Sequence, residues 1–261
     1  MTTTAATLTD DPARPRTSTP AVQLRQVGKR YTTGGPDVLQ QVDLTIEPGE
    51  LVCVVGASGC GKSTLLSLVA GLEEPTSGTV EVAGDGAALM FQEPALFPWL
   101  SARGNVELAM RLSGVGRRER RDRAEELLRL VHLGGSGDSG VHELSGGMRQ
   151  RVALARALAQ DREVLLMDEP FAALDAATRD LLHDELERVW LSSGRTVVFV
   201  THDVGEAVRL GRRVLLMAGR PGRVVGEWRI EDRRSAASAT WGRRLTAEIT
   251  DRLREERHRA A

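Results

Sequence analysis

Two kinds of hydrophobic pattern divide the chain. At residues 22–27 and 38–46 apolar and polar positions alternate, the period of a half-buried strand, with a turn-forming stretch at 32–37 between them. This predicts strands at a sheet edge. Residues 51–55, 164–167, 196–200 and 214–217 are instead short, continuous apolar runs, as in strands buried on both faces. Helical spacing intervenes. Leu65, Leu66, Leu68 and Val69 place a helix over 62–70, and Ala124, Leu127, Leu128 and Val131 recur at i, i+3, i+4, i+7 within a helix-like stretch between Gln92 and Leu144. Buried strands alternating with helices predict an α/β fold with parallel strands and crossover helices, interrupted by a helical insertion. Trp241, Leu245, Ile249 and Leu253, four residues apart, predict a final amphipathic helix docked on the core.

Composition narrows the class. The 261 residues suffice for one large α/β domain with a sizeable core. Basic and acidic residues number 35 and 36, so bulk charge gives no argument for a nucleic-acid partner, and none is expected. The basic run 117–123 is interrupted by Glu119 and Asp122 and reads as a solvated helix face. Cys53 and Cys60 are too few for a disulfide framework and point to free thiols in a reducing, cytosolic compartment. No apolar run approaches the roughly 18 residues that cross a bilayer, so the chain is not expected to form a channel. The expected organisation is a disordered tail over 1–20, a main α/β domain over 21–235 with a helical subdomain at about 93–158, and a helix over 236–261.

Candidate chemistry begins where the strand at 51–55 meets the helix after it. Gly56-Ala57-Ser58-Gly59-Cys60-Gly61-Lys62-Ser63 fits G-x-x-x-x-G-K-[ST], whose glycines let successive backbone N–H groups face a phosphate at a helix N-terminus. Lys62, one of only two lysines in the chain, supplies charge to the β- and γ-phosphates, and the Ser63 hydroxyl is a ligand suited to Mg²⁺. Cys60, inside this loop, is expected to react with maleimides and to be protected by MgATP. The run at 164–167 ends in Asp168 and Glu169, at the strand end where ligands of open α/β sheets bind. Because adjacent strand residues diverge, one acid can serve a metal and the other a water in line with the γ-phosphate; motif order assigns Asp168 to metal and Glu169 to water. Ser145, Gly146 and Gly147 open another helix and form a second anion device.

With Leu144-Ser145-Gly146-Gly147-Met148-Arg149-Gln150, the chain resembles the ATP-binding-cassette ATPases. The resemblance covers about residues 22–217, with the phosphate loop, Gln92, the signature at 144–150, Asp168–Glu169, Leu174–Asp175 and His202 in order. It implies a P-loop NTPase of the α/β class: a RecA-like parallel core, an edge antiparallel β subdomain and an inserted α-helical subdomain. It further implies ATP and Mg²⁺, and a homodimer that sandwiches two ATP molecules between one subunit's phosphate loop, Thr64 included, and the other's signature. Gln92 would join Ser63 and Asp168 in the Mg²⁺ and water shell. His202 would hold Glu169 and the water in line, Asp175 would act across the dimer, and Tyr31, the single tyrosine, would stack on adenine.

A narrower resemblance, through Met90-Phe91-Gln92-Glu93-Pro94 to Leu100 and Arg220-Pro221-Gly222-Arg223, is to the importers of nitrate, sulfonates and taurine. It implies uptake of a small anionic solute, membrane permease subunits, an extracytoplasmic solute-binding protein, and a chain peripheral to the cytoplasmic side of the membrane and soluble when expressed alone. Trp99 either meets the permease's coupling helix or packs inside the helical subdomain. About 40 residues follow Met217, too few for the β-rich regulatory domain of maltose-type cassettes. An export ATPase and a non-transport cassette are the rival readings; the latter usually carries paired cassettes or coiled-coil insertions. Two departures from the family pattern stand out: the Gly/Ser-rich stretch 134–141 before the signature, and Ala172 where many relatives carry serine.

Overall fold

A computed structural model describes residues 19–172, 174–230 and 238–259. The expected tail falls outside them except for residues 19 and 20, as does the start of the expected final helix. The alternating segments form β1 (Val22–Lys29) and β2 (Leu39–Ile46), which pair antiparallel. β1 also pairs antiparallel with β4 (Ser77–Val82), so it is the middle strand of a small sheet rather than an edge. β4 escapes sequence reading because its six residues include Ser77 and Gly78 and none is fully buried.

The continuous runs form the second sheet: β3 (Leu51–Gly56), β6 (Val164–Asp168), β7 (Thr196–Thr201) and β8 (Arg213–Ala218), joined by β5 (Ala87–Met90) and β9 (Arg223–Arg229) in the order β5-β6-β7-β3-β8-β9. Every residue of the first four is buried, the condition that removes alternation. All neighbours run parallel except β8 and β9, which pair antiparallel; the expected parallel succession therefore stops at β8. Register brings Asp168 opposite Val200 and Val55 opposite Thr201, aligning the carboxyl ends of β3, β6 and β7.

Helix α1 (Lys62–Val69) fills one side of this sheet together with the inner face of the small sheet. The other side is covered by α4 (Gly146–Leu158), α5 (Ala176–Ser193), α6 (Val204–Leu210) and α7 (Ser238–Arg259). Between β5 and β6 the chain departs into α2 (Ala102–Leu112) and α3 (Arg117–Leu130), which pack with α4 as the expected helical insertion. In α3 only Ala124 and Leu128 are buried; the remainder of the basic segment is largely solvated. In α7, Leu245 and Ile249 are buried and Leu253 packs beside them, whereas Trp241 is half exposed. Among the described residues, no helix is long and apolar enough to cross a membrane.

Candidate functional site

The phosphate loop is shaped by its surroundings as much as by its glycines. Gly61 has φ +94°, and a Cβ there would lie 2.5 Å from Leu39 Cδ2. Gly56 has no room for a side chain either, since a Cβ would meet the Met217 carbonyl oxygen at 2.3 Å. Lys62 is buried and donates from Nζ to the carbonyls of Gly56 (2.9 Å) and Ala57 (3.1 Å), which holds its charge inside the loop. Ser58, Gly59, Gly61, Lys62, Ser63 and Thr64 face a cavity of about 370 Å³, and Gln92, Glu169 and His202 line its other side.

The Ser63 hydroxyl at the start of α1 lies close enough to the Asp168 carboxylate at the end of β6 to act on its pKa. Burial raises the pKa of Asp168, an effect that Glu169 reinforces and that Ser63 and Lys62 oppose. Glu169 turns away from its neighbour by leaving the strand conformation: its φ is +44°, a region costly for a residue with a Cβ, and its amide still donates to the Val200 carbonyl at 2.9 Å. The two acids thus diverge through a left-handed residue, not through continuation of the pleat. Glu169 Oε2 lies 2.9 Å from His202 Nδ1 at the end of β7.

Behind this pair is a buried group that the sequence did not flag. His183 lies 2.7 Å from Glu206 through Nε2 and packs edge-on against Phe171, two residues after Glu169. Glu206 accepts from the Thr201 hydroxyl, which in turn accepts from the Asp203 amide at 3.0 Å, so both residues flanking His202 are fixed from beneath. Signals existed in principle, since Glu206 lies four residues after His202, but only folding brings α5 to α6.

Two further expectations resolve locally. Tyr31 lies beyond the end of β1, more than half exposed, with its hydroxyl 3.3 Å from Thr64 Oγ1 and the Lys29 ammonium over its ring at 5.0 Å. Cys60 corrects the expectation of ready alkylation: its thiol is buried, and burial raises its pKa despite Lys62 and Arg220 nearby. Cys53 is likewise buried, with no disulfide among the described residues.

Ser145, Gly146, Gly147 and Asp175 do not line the cavity. Ser145 caps α4, accepting from the Met148 amide at 3.2 Å, and lies exposed. Asp175 caps α5 by accepting from the Thr178 amide (3.0 Å) and hydroxyl (2.7 Å), bonds that lower its pKa. Gln92 links the two regions: its carbonyl accepts from Gln150 Nε2 at 3.3 Å, and Gln150 is a buried residue of the signature helix. Arg156 of the same helix holds the Pro94 and Ala95 carbonyls just beyond.

Comparison with known proteins follows the same outline. A family profile described as ABC transporter matches residues 39–172. A taurine import ATP-binding protein of Burkholderia pseudomallei is 49% identical over 210 residues, spanning 77% of this chain and 81% of that one. The chain belongs to the ABC transporter family. It is an ATP-binding cassette and an ATPase. The cassette is also 47% identical over 208 residues to a nitrate import ATP-binding protein of Synechocystis sp., covering 77% of each. Among solved structures, it is similar to a dimeric ATP-binding cassette in a post-hydrolysis state bound to ADP and Pi, with TM-score 0.75 and 34% identity over 81% of this chain and 99% of that one.

Proposed function

We propose that the cassette is the ATP-hydrolysing subunit of an ABC importer for a small anionic solute of the nitrate, sulfonate or taurine class. The observation that carries the catalytic part is the Glu169–His202 pair, facing Lys62 and Ser63 across one cavity. The cavity fits a triphosphate: Gly59 and Gly61, both at positive φ, expose loop amides at the start of α1, and Lys62 stands within reach. It also fits Mg²⁺, because Ser63 and Asp168 already lie close, Gln92 stands alongside, and such ions take few carboxylates together with phosphate and water oxygens. Held by Ser63, Asp168 and Gln92, Mg²⁺ would neutralise charge on the β- and γ-phosphates.

Within that setting the chain's own groups divide the work. Lys62 moves its ammonium from the loop carbonyls to the phosphates. Glu169 accepts a hydrogen bond from the attacking water and draws its proton, while His202 fixes the carboxylate through Nδ1 and presents its other nitrogen to the γ-phosphate. Tyr31 offers its exposed ring to adenine.

The exposed Ser145–Gly147 turn needs a second copy of the chain to supply a phosphate to it, and the dimeric state of the related solved cassette supports this reading. A permease is supported by a groove of about 510 Å³ lined by Leu72, Phe91, Phe97, Leu112 and Arg156, with Trp99 76% exposed and its ring 5.5 Å from Phe97. The reading extends to an extracytoplasmic solute-binding protein and to a peripheral position on the cytoplasmic membrane face. The import names of the relatives favour uptake over export.

Glu169→Gln tests the core of this reading. It should preserve ATP binding but lower turnover by about 10²- to 10⁴-fold, the range for a positioned base, and accumulate an ATP-bound dimer, whereas ADP leaves monomer. Light scattering after size exclusion, with phosphate release, reads both effects. A monomer in saturating ATP that still turns over at the wild-type rate would remove the catalytic and sandwich assignments together.

A further inference from the structure

The segment before the signature serine, residues 134–140, consists of glycines and serines with one acid, Asp138. It has almost no side chains with which to hold its own shape, and glycine makes ordering it costly. What holds it is the start of α2. The amides of Ala102 and Arg103 donate to the carbonyls of Ser139 (2.9 Å) and Gly137 (2.8 Å), and Ser101 forms an antiparallel bridge with Gly140. The Arg103 side chain, 16% exposed, then reaches three carboxylates: Glu125 of α3 at 2.6 Å, Glu107 one turn along α2 at 3.6 Å, and Asp138 of the segment itself. Gly137 is what lets the cluster close, since a Cβ there would lie 2.7 Å from Glu125 Oε1 and 3.2 Å from Arg103 Nη1.

Both ends of this arrangement lead to surfaces that face outward. Upstream, Trp99 is two residues from Ser101, and Asn105 ties the turn to α2 by accepting from the Phe97 amide (2.8 Å) and donating to the Ser101 carbonyl (3.0 Å). Downstream, the Gly140 amide donates to Glu143 at 2.6 Å, Leu144 is buried, and Ser145 follows.

We propose that Arg103 is a positioning residue that clasps the pre-signature segment to the Trp99 end of α2, so that the permease-facing and nucleotide-facing edges of the helical subdomain move as one body. The inference rests on the reading above, in which Ser145 completes the site of a second copy and the Trp99 face meets the permease. A guanidinium is suited to the task because its planar fork engages several carboxylates in fixed directions. Only Asp138 lies in the segment itself; Glu125 and Glu107 fix the guanidinium from α3 and α2, so that it meets Asp138 beside the backbone bonds from Ala102 and Arg103 to Ser139 and Gly137.

Glu169→Gln with ATP provides the assay. Adding Arg103→Ala should leave ATP binding to the dilute monomer within about twofold, yet raise the protein concentration needed for half dimerisation by about tenfold, the size of one lost charge-assisted hydrogen bond. Gly137→Ala should act in the same direction by forcing Glu125 off Arg103, and it supplies the measurement if Arg103→Ala does not fold. Arg103→Lys should restore part of the loss, because an ammonium can keep Asp138 without spanning all three acids. A Glu169→Gln chain that stays monomeric with ATP overturns the signature reading and the clasp with it. A dimer there that the Arg103→Ala and Gly137→Ala chains match overturns the clasp alone. So does a parallel loss of ATP affinity, which would make Arg103 a general folding residue.

Discussion

At the scale of single residues, the site keeps groups in states that folding alone does not favour. Asp168 is the clearest. Burial raises its folded pKa above the unfolded value, so the folded chain holds this proton longer, and the residue's contribution to stability falls as pH rises from the ordinary carboxylate range through the raised value. At neutral pH the partly desolvated carboxyl group is therefore a cost. Asp168→Asn should raise the melting temperature of the nucleotide-free cassette at pH 7, lose that gain at acid pH where aspartate is itself protonated, and weaken MgATP binding. Equal melting shifts at both pH values would contradict it. Asp175 has the opposite sign: its pKa is lowered by Thr178, so its capping contribution is present at neutral pH and disappears as pH falls through the depressed value. Asp168 and Glu169 were legible as a pair from an apolar run ending in two acids. The left-handed φ of Glu169 and the burial of His183 were not, since both are imposed by neighbours distant in sequence.

At the scale of elements, strands and helices differ in how openly the sequence declares them. β3, β6, β7 and β8 were evident because burial on both faces demands unbroken apolar runs. β4 and β9 were not, since they lie at sheet margins where polar residues suffice. The four-residue spacing in α7 did reveal its docking face, and that face can be weighed. Ile249 is fully buried among core residues shared with α6 and β8, so Ile249→Ala should cost about 2–5 kcal/mol and lower the melting temperature by roughly 5–15 °C. Thermal denaturation of the full chain checks this against Leu253→Ala, whose half-buried site should give a smaller loss.

At the scale of the molecule, the helical insertion joins three surfaces. Gln150 touches the Gln92 backbone beside the cavity of the glycine-rich loop, Ser145 opens outward at the other end of the same region, and Trp99 stands beside Phe97 of the apolar groove. The structure decides one open alternative here, because Trp99 is exposed and not packed inside the subdomain. Exposed aromatics of this kind concentrate binding energy, so Trp99→Ala should weaken capture by a co-expressed permease by at least about tenfold and leave ATP affinity unchanged; a pull-down in detergent alongside nucleotide titration measures both. The sequence by itself determined the chemistry and the class of fold, because phosphate binding needs glycines, a lysine and a hydroxyl at fixed local spacing, and parallel strands need unbroken apolar runs. Tertiary structure decided which distant groups meet. Gly56 and Gly61 are required by Met217 and Leu39, Cys60 is closed off by packing, His183 reaches Glu206, and the Gly/Ser-rich segment is held by Arg103. These depend on contacts between elements far apart along the chain, and a local pattern carries no record of its distant partner.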